Sequence, residues 1–135
     1  MNRLNDRMPN NRNPKVLDVG QCDLDHGNIE RMLSQNFGAE VERVATIEEA
    51  IRAVRAGHHD LVLVNRILDA DATSGLELIR RLRSHKDTLA TPVMLVSNHA
   101  DAQDTAVALG ATRGFGKAAL THAATRELLA SLLGP

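Results

Sequence analysis

Two short apolar runs, at residues 61–64 and 93–96, restrict the fold of this chain more than any other feature. Each run consists of four consecutive Val, Leu or Met residues, without the polar alternation of a strand that has one solvated face. Such runs are typical of strands that are buried on both faces of a parallel sheet. Because parallel strands need long crossovers, the chain is expected to alternate strands with helices.

The rest of the sequence supplies that alternation. Apolar residues recur at helical spacing between the strands, and Thr46 followed by Glu49 is a helix-start signal. The predicted strands are 15–19, 41–45, 61–64, 93–96 and 112–115, and the predicted helices are 26–36, 47–56, 76–82, 101–109 and 122–133. Short connections favour parallel neighbours and right-handed crossovers. The expected fold class is α/β: a flavodoxin-like, doubly wound, five-stranded parallel sheet of order 2-1-3-4-5 in a three-layer α/β/α sandwich.

Residues 1–14 differ from the rest of the chain. They are rich in Asn and Arg, include two prolines and lack apolar periodicity. We expect a flexible polar tail there. Residues 15–135 are long enough to form one domain whose core needs no metal or disulfide.

Composition argues against several classes of function. The formal net charge is -1 and aromatic residues make up 1% of the chain, so neither a basic surface nor stacking side chains favour nucleic acid binding. No apolar run reaches the roughly 20 residues of a membrane helix. The single cysteine, Cys22, and the scattered histidines do not have the spacing of metal ligands. A lone cysteine also cannot form an internal disulfide, which fits a reducing, cytoplasmic location. We expect no metal, no cofactor, and no membrane or nucleic acid partner.

Five residues are expected at the carboxyl edge of the sheet, where folds of this class place their binding sites. They follow the first, third, fourth and fifth predicted strands, and they are Gly20, Gln21, Asn65, Ser97 and Lys117. An aspartate in the place of Asn65 is able to accept a phosphoryl group. The amide of asparagine offers neither a nucleophilic carboxylate oxygen nor a charge that holds a cation.

Four stretches carry a resemblance to a known family: LVLVN at 61–65, SGLELIRRLR at 74–83, TPVMLVSNHAD at 91–101 and GATRGFGK at 110–117. With them, residues 15–133 resemble the receiver domain of bacterial response regulators. The resemblance implies a role in two-component (phosphorelay) signal transduction. In that family, two acidic residues after the first strand and an aspartate ending the third hold magnesium, and this aspartate accepts the phosphoryl group. A hydroxyl and a lysine then bind the oxygens of the transferred group.

The resemblance assigns a role to each residue at the edge. Gly20 and Gln21 take the positions of the acidic pair, and Asn65 takes that of the phosphoryl acceptor. Ser97 and Lys117 match the two groups that contact the anion. Magnesium prefers anionic oxygen ligands and gives up its water shell reluctantly. We therefore expect a degenerate pseudo-receiver that binds no magnesium, forms no acyl phosphate and is not an enzyme.

Two further positions depart from the family. Gly114 stands where the resemblance places a switch aromatic, so a relay from hydroxyl to aromatic ring has no ring to move. Ala118 follows Lys117 where the family has a proline after a cis bond, and a cis bond without proline costs about 3 kcal/mol.

Four other acids are candidates to replace the missing carboxylates. Asp69 and Asp71 lie in the long loop 66–73, where solvated side chains are the favoured interpretation. Asp23 and Asp25 follow the first strand, and Asp25 is also a plausible cap for the first helix. The sequence does not decide between these roles.

Structural roles compete with the functional ones at three positions. Ser97 is able to cap the strand exit or the next helix, and Lys117 to hydrogen-bond with Asn65 and local carbonyls. Asp18 interrupts an apolar strand, and a buried carboxylate must be paired or protonated. Arg43 on the neighbouring strand is the predicted partner of Asp18.

The resulting hypothesis is a phosphorylation-independent module that binds another protein, such as a histidine kinase, or a second copy of itself. By family analogy the contact surface lies around Asp104, Arg113 and Arg126, or around Arg31 on the first helix.

Two alternative functions have weaker support: binding of a small, cobalamin-like ligand, and catalysis by a nucleophilic serine. The segment DLDHGNI at 23–29 resembles the cobalamin signature of some flavodoxin-like domains, but its histidine is out of register. Ser97 with His99 or Lys117 resembles a nucleophile with a base, but no glycine elbow or orienting acid accompanies them.

Overall fold

The structure is a computed structural model that describes residues 13–135. Most of the predicted polar tail, residues 1–12, lies outside the described residues. The strands are β1 (Lys15–Val19), β2 (Glu40–Val44), β3 (Leu61–Asn65) and β4 (Val93–Val96). The helices are α1 (Asp23–Phe37), α2 (Ile47–Ala56), α3 (Gly75–Arg83), α4 (Ala100–Ala108) and α5 (Ala123–Leu133), and a 3₁₀ turn spans Lys117–Ala119.

All four strands are parallel, and their order is β2-β1-β3-β4. In the register, Val19 lies beside Val64, and Asn65 lies beside Val96. The carboxyl ends of β1, β3 and β4 are therefore level with one another. This alignment brings the loops after the three strands to one end of the molecule.

Helices cover both faces of the sheet. One core cluster joins alternate strand residues to α2, α3 and α4, and the other joins the intervening strand residues to α1 and α5. β3 and β4 are buried along their whole length up to Asn65, as their apolar runs predict, whereas β2 is largely exposed. The sheet thus has the predicted sandwich arrangement.

Local capping signals explain where two of the five helices begin. Thr46 and Glu49 form a reciprocal capping box at the start of α2, as predicted. Ser74 accepts a hydrogen bond from Leu76 N at the start of α3. The prediction for α1 is wrong by one turn: the helix begins at Asp23, so Asp25 lies inside its first turn and does not cap it.

None of the helices in the described part of the chain combines the length and the apolar character that a membrane-spanning helix requires.

The fifth predicted strand, 112–115, is not a strand in the structure. Its only bridge within the described sheet joins Phe115 to Val96. The side chain of Gln103, which is 5% exposed, lies between β4 and segment 112–115. Its Nε2 donates to Leu95 O at 2.9 Å, and its Oε1 accepts from Gly114 N at 2.9 Å. The side-chain amide replaces strand-to-strand bonds, so 112–115 follows the sheet edge without pairing regularly.

This arrangement predicts that Gln103→Leu destabilises the fold by about 2–4 kcal/mol, because buried carbonyl and N–H groups lose their partners while the apolar volume is kept. Urea unfolding followed by circular dichroism measures the change. Gln35→Leu, at an exposed position on α1, is the matched control and should change stability by less than about 0.5 kcal/mol. Equal stability of the two variants would contradict the proposed role of Gln103.

Candidate functional site

A cavity of about 280 Å³ opens at the carboxyl edge of the sheet between β3 and β4. Three of the five residues predicted for this edge line it: Asn65, Ser97 and Lys117. The remaining lining residues are Arg66, Ile67, Val96, Asn98 and His99. The other two predicted residues, Gly20 and Gln21, line a separate crevice of about 620 Å³ beside β2.

Asn65 is half-buried and directed toward the loop after β1. Its Nδ2 donates a hydrogen bond to Gly20 O at 3.1 Å. Behind it, Gly75 packs so closely that a Cβ at residue 75 would overlap with Asn65 O. Asn65 therefore connects two loops through its amide, a bond that a carboxylate in its place could not donate.

Ser97 has the structural contacts that its position predicts. Its Oγ accepts a hydrogen bond from His99 N at 3.1 Å, and its own N donates to Phe115 O at 3.0 Å. The hydroxyl thus fixes the turn into α4.

Lys117 forms an ion pair with Asp25 of α1, whose Oδ2 lies 2.6 Å from the ammonium Nζ. The predicted bond between Lys117 and Asn65 is not among the contacts of the described residues: Asn65 Nδ2 donates to Gly20 O, and Lys117 pairs with Asp25 although it lines the same cavity as Asn65. The hydrogen bond from Lys117 is the main cause that lowers the pKa of Asp25 below its usual value. Asp25 is thus ionised at neutral pH and neutralises the lysine.

Gly20 has a left-handed backbone, with φ +79°. A Cβ at this position would overlap with Cγ of Leu68, a residue that is 1% exposed and comes from the loop after β3. The same loop is held by a hydrogen bond from Asp69 N to Gly20 O at 2.9 Å. An apolar side chain therefore fills the space beside Gly20.

Gln21 is 4% exposed, and neither atom of its amide has a hydrogen-bond partner among residues 13–135. The surrounding acids are engaged or exposed. Asp23 pairs with Arg43 at 2.8 Å, and Asp71 accepts from Thr73 N at 3.0 Å.

Asp69 lines the crevice with an exposed side chain, as predicted for this loop. In the described part of the chain, no three His, Cys, Asp or Glu side chains are grouped closely enough to hold a metal ion.

Asp18 is fully buried, and its partner is His26 of α1 rather than Arg43. Nδ1 of His26 lies 2.6 Å from Oδ2 of Asp18. Arg43 lies beside Asp18 in the register, but its guanidinium reaches outward to Asp23 and to Gln21 O. Burial raises the pKa of Asp18, and the contact with His26 partly opposes that rise.

Gly114 and Ala118, the two further departures from the family sequence, also have a structural explanation in their neighbours. A Cβ at Gly114 would overlap with Leu95 O, so the close approach of segment 112–115 to β4 requires glycine there. Ala118 N donates to Asn98 Oδ1 at 3.1 Å, and the described chain contains no cis peptide bond.

Comparison with known families decides the relationship. A family model described as the response regulator receiver domain matches residues 25–117, which is more than half of the chain. The chain belongs to the response regulator receiver domain family. Receiver domains are the signalling modules of two-component systems and interact with histidine kinases and other proteins.

Solved structures agree with this receiver fold. The receiver domain of a DNA-binding response regulator from Colwellia psychrerythraea is 19% identical, with a TM-score of 0.75, and the match covers 90% of this chain and 99% of that one. The receiver domain of a sensor histidine kinase from Pseudomonas aeruginosa, with magnesium in its active-site cleft, is 18% identical, with a TM-score of 0.70 and coverage of 92% and 100%.

A chemotaxis response regulator of Vibrio cholerae is 20% identical, with a TM-score of 0.67 and coverage of 89% and 95%. No curated protein sequence matches the chain.

Sequence reasoning missed two residues that shape the edge of this receiver domain, Leu68 and His26, and the partner of a third, Asp25. Leu68 is an apolar residue within a polar loop, and that contrast was the signal for its burial. His26 lies eight residues after Asp18 and on a different element, so no sequence rule for neighbours within one helix or strand predicts their contact. Asp25 was recognised as a helix-start acid, but its pairing with Lys117 joins residues that are distant in sequence.

The contact between Asp18 and His26 predicts a pH-dependent effect of His26→Leu. At about pH 7.5 the variant should lose about 3 kcal/mol of stability, because the buried carboxylate loses its partner. The folded-state pKa of Asp18, already raised, then rises further, so the folded state binds a proton that the unfolded state lacks. The deficit relative to the original chain should therefore shrink as the pH falls to about 5.

Urea unfolding at the two pH values measures this deficit. His85→Leu, at an exposed position, is the control and should show no comparable pH dependence. A deficit for His26→Leu that grows on acidification would contradict the assignment.

Proposed function

We propose that this receiver domain works without phosphorylation, as a pseudo-receiver that binds a partner protein within a two-component system. In the proposal, Asn65 replaces the phosphoryl acceptor, and Gly20 and Gln21 replace the acidic pair. The observation that carries it is the contact between Gly20 and Leu68. A side chain at position 20, where the family has an acidic residue, would overlap at its Cβ with the buried isobutyl group of Leu68.

The metal requirement supports the proposal. Phosphoryl transfer needs a cation that neutralises the developing charge and an in-line nucleophile. Leu68 offers no ligand atom, the amide of Asn65 donates to Gly20 O, and Gln21 is neutral. Magnesium would exchange water for an amide oxygen and an apolar wall, which is unfavourable for a hard dication.

The ion pair of Lys117 points in the same direction. In the family this lysine contacts the transferred phosphoryl group. Here a carboxylate of the same chain, Asp25, already lies 2.6 Å from the ammonium. We infer that Asp25 gives Lys117 a permanent anionic partner, so the domain keeps one arrangement of α1 and the 117–119 turn without any covalent input.

The proposed partner is another protein, such as a histidine kinase. A second copy of this chain, forming a homodimer, would satisfy the same proposal. Around Asp104 and Arg113 the surface charges pair with one another at 2.8 Å, whereas Arg31 and Arg126 carry no carboxylate partner among the described residues. The surface near α1 and α5 is therefore the better candidate for contact. A cytoplasmic location belongs to the proposal because the lone Cys22 needs no oxidising compartment.

Treatment with magnesium and acetyl phosphate, followed by intact mass spectrometry, tests this function. We expect no phosphate adduct on the original chain. We also expect none on the variant Asn65→Asp, because a carboxylate without its metal cannot complete the transfer. A magnesium-binding receiver domain treated in parallel shows that the donor is active. An adduct on the original chain would refute the proposal.

A second set of variants separates the missing carboxylates from the occupied space. The triple variant Gly20→Asp, Gln21→Asp, Asn65→Asp should bind magnesium at least about tenfold more weakly than the same variant with Leu68→Ala added. Isothermal titration calorimetry measures both affinities. Equal affinities would show that Leu68 does not obstruct the site. The argument from the missing carboxylates does not depend on this result.

A further inference from the structure

Two cavities meet at Lys117, and every charged side chain that lines them is a cation or a histidine. The 280 Å³ cavity contributes Arg66 and His99, and a neighbouring cavity of about 410 Å³ contributes Arg31 and Arg126. We call Arg31, Arg66, His99, Lys117 and Arg126 the cationic band. The larger crevice beside β2 differs, because acids and arginines alternate along it.

The arginines of the band lack the carboxylate partners that five other arginines of the described chain have; Arg52 and Arg83, which line neither cavity, lack them as well. Within residues 13–135, the arginines that form ion pairs with acids are Arg43, Arg55, Arg80, Arg81 and Arg113. Arg31 donates only to Asn28 Oδ1 at 2.7 Å, and Arg126 only to Thr121 O at 2.9 Å. A guanidinium has five N–H donors, so each retains donors that reach solvent.

Apolar side chains accompany the cations. Ile67 lines the smaller cavity and is 40% exposed, while the half-buried Leu120 lines the larger one, whose floor includes the buried Met32. Leu24 is 71% exposed on the first turn of α1, next to Asp25. Neither Phe37 nor Phe115 lines these two cavities, so the band has no aromatic platform for nucleobases.

We propose that the cationic band is the docking surface for an acidic peptide segment of the partner, with Asp or Glu side chains interspersed with aliphatic ones. Carboxylates of the segment bind the forked guanidinium groups of Arg31 and Arg126, and its aliphatic side chains cover Ile67 and Leu120. This inference rests on the proposed function only in taking the partner to be a protein.

The band is not uniform. Lys117 is already neutralised by Asp25 at 2.6 Å, so an incoming carboxylate gains less from Lys117 than from the arginines. The binding energy is therefore expected to depend on Arg31 and Arg126 and to change little when both charges of the pair are removed together, in Asp25→Asn with Lys117→Met. A simple anion site at Lys117 would give the opposite ranking.

Selection of random peptides of about twelve residues displayed on phage, against the immobilised full chain, tests the docking surface. We expect selected sequences enriched in Asp and Glu together with Leu, Ile or Val. Fluorescence anisotropy then measures the affinity of a selected peptide for each variant. Arg31→Glu with Arg126→Glu should weaken binding about tenfold or more, and Arg31→Gln with Arg126→Gln should weaken it by a smaller factor.

The control is Arg52→Glu with Arg55→Glu on α2, which makes the same change of charge on another surface. It should change the affinity by less than about twofold. Unfolding curves show whether each variant is folded. If the double glutamate variant of Arg31 and Arg126 does not fold, the double glutamine variant still tests the proposal.

Three outcomes would overturn the docking proposal: selected peptides without acidic enrichment, affinity that does not respond to either Arg31 and Arg126 pair, or equal competition by a single-stranded oligonucleotide of similar charge. The phosphorylation assay is independent of these outcomes. A phosphate adduct would refute the phosphorylation-independent function while leaving the peptide result intact, and absent peptide binding without an adduct would refute the docking surface alone.

Discussion

The burial of β3 between β1 and β4 is the constraint on which the rest of this structure depends. Its four apolar residues are fully covered by helices on both faces, and its register with both neighbours brings three strand ends level with one another. Because a parallel strand pairs along its whole length, a shift of β3 by one residue would exchange its two faces. Asn65 is therefore held at the edge by the core and not by the loops around it.

At the ends of β1 and β3, neutral contacts and one internal ion pair replace the charged groups of a metal site. Leu68 occupies the space beside Gly20, Asn65 bonds to a backbone carbonyl, and Lys117 pairs with Asp25. These contacts use neutral groups or cancel charge inside the chain, so little unbalanced charge is left between the strand ends. Unpaired positive charge lies instead on Arg66 at the rim and on Arg31 and Arg126 beside it, which favours recognition of a protein surface over a bound cation.

Several elements followed directly from local sequence. The apolar runs predicted β3 and β4, Thr46 with Glu49 predicted the start of α2, and the short connections predicted that the strands are parallel. The segment 112–115 was predicted as a strand because its spacing fits the alternation. It failed because Gln103, eight residues after Leu95, inserts its amide into the ladder, and no local pattern signals such an insertion.

The sequence by itself determined the α/β alternation, the family and the absence of carboxylates at positions 20, 21 and 65, since those depend on residue type and order. Only the tertiary structure decided the partners: His26 rather than Arg43 for Asp18, Asp25 rather than Asn65 for Lys117, and Leu68 beside Gly20. The reason is physical. Whether a side chain is paired depends on which direction its backbone gives it and on what the remaining chain brings within about 3 Å, and both are fixed only when the elements pack.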